Sequence, residues 1–399
     1  MMPLNAGYLS GRLVMNGPWR LFLMLLIHIF FILACSSSSF ADSIKVGVLL
    51  DLSGPFSKQG EAAYKSIQFA VEEINLLGGI GGKRLEITVF DTGSDGNKMV
   101  QGALQLKEQG VSALLGPTAP KNCLSLRKFA ENKRIPLILI SGTTPILTFS
   151  GLKTRWTFST TLNFSSELKA LFSVFKRRGY QSLGVLVQAG GFYKELFLWI
   201  RGYAPEYGLS LSCAEGFNLN PEDLGRKFSF LNRCSPDAAL IWANSQARPF
   251  VLKMLSRADL PLGICHSLFD KAFGQGSNST SQLLFVAVPS ALVPEGLKMR
   301  LSFNAKNFLN RWGSQLDIMP FESQLYAAQA WDALNVLATA LKHTGGRGGE
   351  GLRRSLETGI KNYYGVIGKF SFDKRDHSFL DPSSLSVLRY FSGRWSLVR

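Results

Sequence analysis

The sequence predicts an α/β protein made of two Rossmann-like, doubly wound lobes joined by a hinge. The length of 399 residues allows two domains that each bury a core. Short apolar runs alternate with amphipathic helical segments, which is the pattern of parallel sheets covered by helices. This alternation restarts after a crossover predicted at residues 155–161. The repeat of the pattern indicates a second lobe.

The first strand–turn–helix unit spans residues 44–75. Residues 44–50 form an apolar run that suits a parallel strand buried on both faces. Ser53, Gly54 and Pro55 predict a turn, and the apolar residues that follow recur at helical spacing. Such a unit places backbone N–H groups at the carboxyl end of the strand, where open α/β sheets bind ligands.

The rest of the chain continues the alternation. Further strands are predicted at residues 85–90, 111–115, 135–140, 182–187, 209–215, 237–242, 262–265 and 283–288. Helices are predicted at 296–312, 321–343 and 353–361 after a return linker. The tail alternates polar and apolar residues at 366–372 and 386–392, which predicts antiparallel strands with a turn at Ser392-Gly393. We expect residues 42–160 with 290–365 in lobe 1, and 161–289 with 366–399 in lobe 2.

Three strand ends in the first lobe carry hydroxyls or small residues. They are Ser53-Gly54, Thr118-Ala119 and Ser141-Gly142-Thr143. Short polar side chains beside free backbone amides can form a neutral cup for a carboxylate. A single residue of this kind is more often a cap or a turn residue. Their agreement across three strand ends favours a ligand site, in which Thr143 donates its hydroxyl.

The N-terminal motifs resemble those of a known family. The run IKVGVLLDLSGPF with Gly60, followed by AVEEIN and GGI at residues 70–80, resembles the start of branched-chain amino-acid-binding proteins. These are type I periplasmic solute-binding proteins of ABC importers. The resemblance continues more thinly to the C-terminus. It implies the leucine-binding-protein domain, a small-molecule ligand (an amino acid or an organic acid), an ABC permease in the inner membrane and a monomer.

The resemblance also implies where a ligand binds. Amino-acid-binding relatives hold the α-carboxylate with a serine after the third strand and a threonine after the fourth. Thr143 matches the threonine and Ser141 a neighbouring position, whereas the serine position falls on Pro120, which has no hydroxyl and no N–H. Relatives hold the ammonium with an acidic residue of the second lobe. That position falls on Leu268, with Asp270 close enough to substitute if the loop shifts.

The remaining pocket positions also depart from the family pattern. Aromatic positions of the relatives fall on Gln59, on Phe192 or Tyr193, and on Asn244. An ammonium buried beside Leu268 without a carboxylate is costly. The sequence therefore predicts a small polar or anionic ligand, and weak binding of free leucine.

Residues 1–41 have the features of an export signal. Arg12 and Arg20 are their charges, and an apolar run at 21–33 is short for a membrane span. Cleavage after Ala41 competes with a lipobox that ends at Cys35. We expect a periplasmic protein, either free or anchored through an acylated Cys35.

The cysteines and the net charge leave alternatives open. Cys123, Cys213, Cys234 and Cys265 lack metal-ligand spacing, and Cys213 and Cys234 are either disulfide-bonded or free thiols. The net charge of +16 favours an anionic ligand or an anionic surface, or reflects a generally basic proteome. The basic residues are scattered and no recognition module accompanies them, so nucleic acid is a poor candidate.

Motifs for catalysis are weak. The glycine-rich residues 78–83 have Leu77 and Arg84 at the positions that a phosphate loop needs for Gly and Ser/Thr, and no G-x-S-x-G occurs. We therefore expect no enzyme activity, no cofactor and no metal. Two alternatives share the fold: a ligand sensor that signals to a partner, and an envelope regulatory protein without a transport role.

Overall fold

The first sheet is entirely parallel. A computed structural model describes residues 43–142, 154–190, 193–255, 260–270, 283–298 and 300–398; the predicted leader lies outside these ranges. The strands follow the order β2-β1-β3-β4-β5. Their bounds are Ile44–Leu50 (β1), Leu85–Asp91 (β2), Leu114–Leu115 (β3), Leu137–Leu139 (β4) and Thr157–Ser159 (β5).

Six helices of the described chain accompany this first sheet. Three follow its strands: α1 (Ser57–Leu76), α2 (Gly96–Glu108) and α3 (Cys123–Lys133). Three come from later in the chain: α8 (Phe303–Trp312), α9 (Phe321–Thr344) and α10 (Gly349–Gly359). Helix α9 is buried on most of its surface and carries Trp331 and Leu334 in the core.

The second sheet is mixed. Its strands follow the order β14-β13-β10-β9-β8-β6-β7, and the strands from β10 to β7 are parallel. They are β6 (Ser182–Gln188), β7 (Ser210–Phe217), β8 (Ala238–Trp242), β9 (Leu262–Ile264), β10 (Leu284–Pro289), β13 (Leu385–Phe391) and β14 (Arg394–Leu397). Its helices are α4 (Phe164–Arg177), α5 (Tyr193–Tyr203), α6 (Pro221–Cys234) and α7 (Arg248–Leu255). The predicted two-lobed α/β class is confirmed.

The connections between the sheets are held by hydrogen bonds. Gln329 on α9 makes two of these bonds. Its Oε1 accepts from Leu162 N at 3.0 Å, and its Nε2 donates to Ile140 O at 3.0 Å. Asn163 donates to Ser378 O at 2.9 Å. The two Gln329 bonds tie residues that follow β4 and β5 to α9, and the Asn163 bond ties the segment after β5 to the C-terminal part of the chain. The exact lobe boundaries stay a prediction.

Two predicted elements differ from the structure. The helix predicted at 296–312 begins only at Phe303, because the Ser302 hydroxyl accepts from Ala305 N at 3.0 Å and caps the helix there. The strand predicted at 366–372 is reduced to β12 (Lys369–Phe370), which pairs with β11 (Tyr363–Tyr364). The N–H groups of Val366 and Ile367 are bound by Asp332 and are not available to a strand partner.

The turn predicted at Ser392-Gly393 is confirmed, since it joins β13 to β14. Cys123, Cys213, Cys234 and Cys265 are free thiols in this structure. Burial, with a hydrogen bond that the Cys213 thiol donates to Cys234, raises the pKa of Cys213 to about 12. Within the described ranges, no helix combines the length and the apolar character that crossing a membrane requires.

Candidate ligand-binding cleft

A cavity of about 510 Å³ lies between the two lobes. The first lobe lines it with the residues that open α1, with the turn after β3, and with the start of α9. The second lobe lines it with the start of α4 and with the loops after β8 and β9. The cavity therefore sits at the carboxyl ends of strands from both sheets, where the sequence predicts a site.

The predicted hydroxyl of Thr118 is used inside the first lobe. Its Oγ1 accepts from Asp51 N at 2.8 Å and donates to the Asp51 carboxylate, which also accepts from Ala119 N at 2.6 Å. Thr92 donates to the other oxygen of Asp51 at 2.5 Å. Asp51, Thr118 and Ala119 are fully buried. This network joins the carboxyl ends of β1, β2 and β3 to one another by hydrogen bonds.

The hydroxyl of Ser53 is engaged in the same way. It donates to Asp91 Oδ2 at 2.7 Å, and the N–H groups of Leu52 and Gly93 donate to Asp91 Oδ1 at 2.9 and 3.0 Å. Burial would raise the pKa of Asp91, but these hydrogen bonds lower it below its ordinary value. Ser53 is thus bound to a carboxylate of its own lobe.

The three residues predicted as site residues after β4 differ in whether they line the cavity. Ser141 is fully buried, with its Oγ 2.8 Å from Cys123 Sγ. Gly142 lines the cavity. Thr143 lies outside the described residues. Of the strand-end groups that the structure describes, Gly142 alone contributes to the cavity lining.

Aromatic and aliphatic side chains form much of the cavity wall. Phe56, Phe321, Leu325 and Tyr326 line it from the first lobe, and Phe164 lines it from the second. Gln59 also lines the cavity, and its Oε1 is buried without a hydrogen-bond partner among the described residues. The wall suits an apolar body, with Gln59 available to one polar atom.

Arg248 brings a positive charge to the second-lobe side. Its Nη1 lies 3.2 Å from Asp270 Oδ2, and its Nη2 donates to Ser267 O at 3.0 Å. Its Nε is buried and has no partner among the described residues. Arg248 and Ser267 line the cavity, whereas Asp270 is not among the lining residues of the described chain.

His266 lies beside Arg248 and is held by a buried carboxylate. Its Nδ1 is 2.8 Å from Glu167 Oε2, and its Nε2 is 3.4 Å from Ser267 Oγ. Burial alone would lower the pKa of His266, but the charge and hydrogen bond of Glu167, with a contribution from Glu322, raise it above its ordinary value. Because the Glu167 carboxylate accepts at Nδ1, protonation of the ring puts the second proton on Nε2 and makes it a donor.

Of the other predicted site residues that the structure describes, one lines the cavity. Asn244 lines the cavity and also caps a turn, because its side chain accepts from Gln246 N at 3.0 Å. Leu268 is buried and is not among the described lining residues. Tyr193 begins α5. Phe192 lies outside the described residues.

Sequence analysis missed Arg248, His266 and Glu167. A signal for two of them was present, because Arg248 and His266 follow β8 and β9 closely, as Ser53 follows β1. The expectation that residues after a strand reach a ligand, which singled out Ser53, Thr118 and Ser141 in the first lobe, covers these two residues of the second lobe as well. Among the described residues, no group of three His, Cys, Asp or Glu side chains is placed to hold a metal ion.

Two lobes, one with a parallel and one with a mixed sheet, and a cleft at their strand ends define a binding protein of the two-lobed α/β class. The family model described as "Periplasmic binding protein" matches residues 43–389. The chain therefore belongs to the type I periplasmic binding protein family, which confirms the resemblance noted in the N-terminal motifs.

Relatives in sequence are amino-acid-binding proteins. The leucine-, isoleucine-, valine-, threonine- and alanine-binding protein of Pseudomonas aeruginosa is 21% identical over 348 residues, which cover 85% of this chain and 88% of that protein. The Leu/Ile/Val-binding protein of Escherichia coli K12 is 30% identical over 119 residues, covering 30% of this chain and 32% of that protein.

Solved structures share the fold. A periplasmic binding protein type 1 from Bordetella pertussis Tohama I has a TM-score of 0.70 and 19% identity, covering 90% of this chain and 100% of that chain. A branched-chain amino acid transporter substrate-binding protein from Streptococcus pneumoniae, in complex with isoleucine, has a TM-score of 0.65 and 20% identity, covering 90% and 99%. At this identity the likeness concerns the fold alone.

Proposed function

We propose that this chain is an exported solute-binding protein that captures a small anionic organic molecule between its lobes and delivers it to an ABC permease of the inner membrane. The observation that carries the proposal is the charge of the cleft. Lys121, Arg248 and the titratable His266 line it, against the single carboxylate of Glu322 among the described lining residues. The negative partners Glu167 and Asp270 are not among those lining residues.

The apolar part of the ligand is expected to pack on the aromatic wall. Phe56, Phe164 and Phe321 surround a cavity large enough for a molecule of amino-acid size. An amino acid would place its ammonium in a cleft where the nearby Asp270 is already paired with Arg248. An organic acid avoids that conflict. We therefore favour an organic acid over an α-amino acid.

Capture is expected to work by hinge closure. Ligand docks on one lobe and gains the contacts of the other lobe only in the closed form, so binding shifts the population toward that form. Gln329, whose side chain bonds residues that follow β4 and β5, lies where the lobes are connected and lines the cavity. A ligand there would touch both lobes and the hinge.

Delivery to a permease is inferred from the relatives, whose names describe binding and transport of amino acids. Export follows from the same family membership and from the predicted leader at residues 1–41. A role as carrier needs no catalytic group, cofactor or metal.

A thermal-shift experiment on the chain from Asp42 onward tests the proposal. We expect 3-phenylpropanoate or 4-methyl-2-oxopentanoate to raise the melting temperature, because a ligand that binds the native state alone stabilises it. Phenylalanine and leucine, which share those carbon skeletons, are the matched comparison. Solution scattering should show compaction with the stabilising acid. No shift with any of the four compounds would overturn the proposal.

A further inference from the structure

We propose that the second lobe holds the ligand's carboxylate, through Arg248, Ser267 and His266. The sequence prediction places that carboxylate at the strand ends of the first lobe instead. This inference rests on the proposed function and names its ligand class: a carboxylic acid that lacks an α-ammonium group.

The first step concerns the donors of the first lobe. Each hydroxyl described at its strand ends already has a partner: Ser53 bonds Asp91, Thr118 bonds Asp51, and Ser141 contacts Cys123. The N–H of Ala119 also bonds Asp51. A carboxylate placed at these groups would compete with the buried Asp51 and the partly buried Asp91. Breaking such internal hydrogen bonds is expensive.

The second step concerns the donors of the second lobe. Arg248 and His266 meet at Ser267, because Nη2 of Arg248 bonds its carbonyl and Nε2 of His266 lies 3.4 Å from its hydroxyl. Glu167 has a carboxylate that accepts at both oxygens, from the backbone N–H and from Nδ1 of His266. Nδ1 therefore carries a proton, and Nε2 of this cavity-lining residue donates when the ring is protonated. Guanidinium, imidazolium and hydroxyl together form a donor set suited to a carboxylate.

The third step concerns what this donor set rejects. An ammonium group close to Arg248 meets a like charge, and it meets a second one when His266 is protonated. Asp270 could offset them, but its Oδ2 is 3.2 Å from Nη1 of Arg248. Specificity often comes from such a repulsive element as much as from an attractive one. We therefore expect an acid to bind more tightly than the amino acid with the same skeleton.

Paired variants at Arg248 and Asp270 test the inference, with calorimetry on the chain from Asp42 onward. The probes are 3-phenylpropanoate with phenylalanine, and 4-methyl-2-oxopentanoate with leucine. Arg248→Gln should weaken the acid about 10- to 100-fold, the range for a hydrogen bond to a charged group. Asp270→Asn should tighten the acid about threefold, because a competing carboxylate is removed.

Controls separate binding from folding. Arg226→Gln removes another arginine of the second lobe, one that pairs with Asp223 at 3.1 Å and does not line the cavity; it should bind like the wild type. Arg248→Lys keeps the charge and should recover part of the affinity. A purely structural loss in Arg248→Gln would weaken acid and amino acid equally, whereas the inference predicts that the preference for the acid collapses.

The outcomes are distinguishable. Acid binding that is lost in Arg248→Gln and kept in Asp270→Asn supports the inference. Tight phenylalanine or leucine binding that disappears in Asp270→Asn and persists in Arg248→Gln would overturn the inference while leaving a solute-binding function intact. No binding by any of the four probes would overturn the proposed function together with it.

Discussion

The two faces of the cleft use their polar side chains differently. On the first-lobe face, the hydroxyls of Ser53 and Thr118 are bound by Asp91 and Asp51 of the same lobe. On the second-lobe face, Arg248 and His266 reach the cavity while their negative partners lie outside its lining. Hydroxyls at the strand ends of the first lobe are thus used within that lobe, whereas charged side chains at the strand ends of the second lobe line the cavity.

The comparison shows what a strand-end position means. Both sheets bring side chains to the cleft, but a buried carboxylate such as Asp51 must collect hydrogen bonds from its neighbours. Thr92, Thr118 and Ala119 supply them. A polar residue at a strand end becomes available to a ligand only when no buried group of its own lobe requires it.

The largest expected effect comes from breaking the first-lobe network. Asp51→Ala leaves buried donors of Thr92, Thr118 and Ala119 without their acceptor. Since each unsatisfied buried group costs about 1–3 kcal/mol, we expect the free energy of unfolding to fall by about 3 kcal/mol or more. Urea denaturation gives the value.

Ser53→Ala is the comparison, because this exposed hydroxyl serves Asp91 alone; we expect a loss of about 1 kcal/mol or less. Equal stability of Asp51→Ala and the wild type would show that the network does not hold the strand ends together.

A smaller effect is expected from the carboxylate behind His266. Glu167→Gln removes the charge that raises the pKa of His266, so burial should then lower that pKa below its wild-type value. The loss of a charged hydrogen bond should reduce the free energy of unfolding by about 1.5–3 kcal/mol. An NMR titration of the ring and urea denaturation measure the two quantities.

Glu322→Gln is the matched variant, since Glu322 acts on His266 through charge and without a hydrogen bond. It should lower the pKa of His266 less than Glu167→Gln does. An unchanged His266 pKa in Glu167→Gln would contradict the assignment of Glu167 as the holding group.

The smallest effect is the pH dependence of acid binding. The pKa of His266 is raised above its ordinary 6.5, so its charge is fully present below about pH 6.5 and is lost as pH rises through the folded value. Among the described residues, Glu167 on α4 and Glu322 on α9 act on the ring, and Arg248 on α7 lines the same cavity. Affinity for 3-phenylpropanoate should fall about fivefold across that window, because one partly screened charge contributes about 1 kcal/mol.

His266→Gln should bind the acid with an affinity that stays flat over the same pH range. Acid binding by the wild type that strengthens as pH rises would show that the form of the site with a neutral His266 is the one that binds.

Much of the fold could be predicted from the sequence. Apolar runs at 182–187 and 237–242 became β6 (Ser182–Gln188) and β8 (Ala238–Trp242), because a buried parallel strand needs apolar residues on both faces. The helix predicted at 296–312 was too long. Its start depends on the Ser302 cap, which hydrophobic periodicity does not report.

Less of the candidate site could be predicted. The strand-end rule and the family pattern found Gly142, Gln59 and Asn244, which line the cavity. Neither could show that Ser53 and Thr118 bond to aspartates, because those contacts join residues 38 and 67 positions apart in the chain. The ion pair of Asp270 with Arg248 is equally a product of folding, since it connects a residue that follows β9 to the first residue of α7.

The most direct test of the central claim compares one residue from each face of the cleft. The strand-end prediction gives Thr143→Val a loss of about 1.5–3 kcal/mol in binding an acid, whereas the second-lobe account assigns that loss to Arg248→Gln. Calorimetry with 3-phenylpropanoate on both variants decides between them. We expect Arg248→Gln to bind at least about tenfold more weakly and Thr143→Val to stay within about threefold of the wild type. A tenfold loss in Thr143→Val with unchanged affinity in Arg248→Gln would contradict the account.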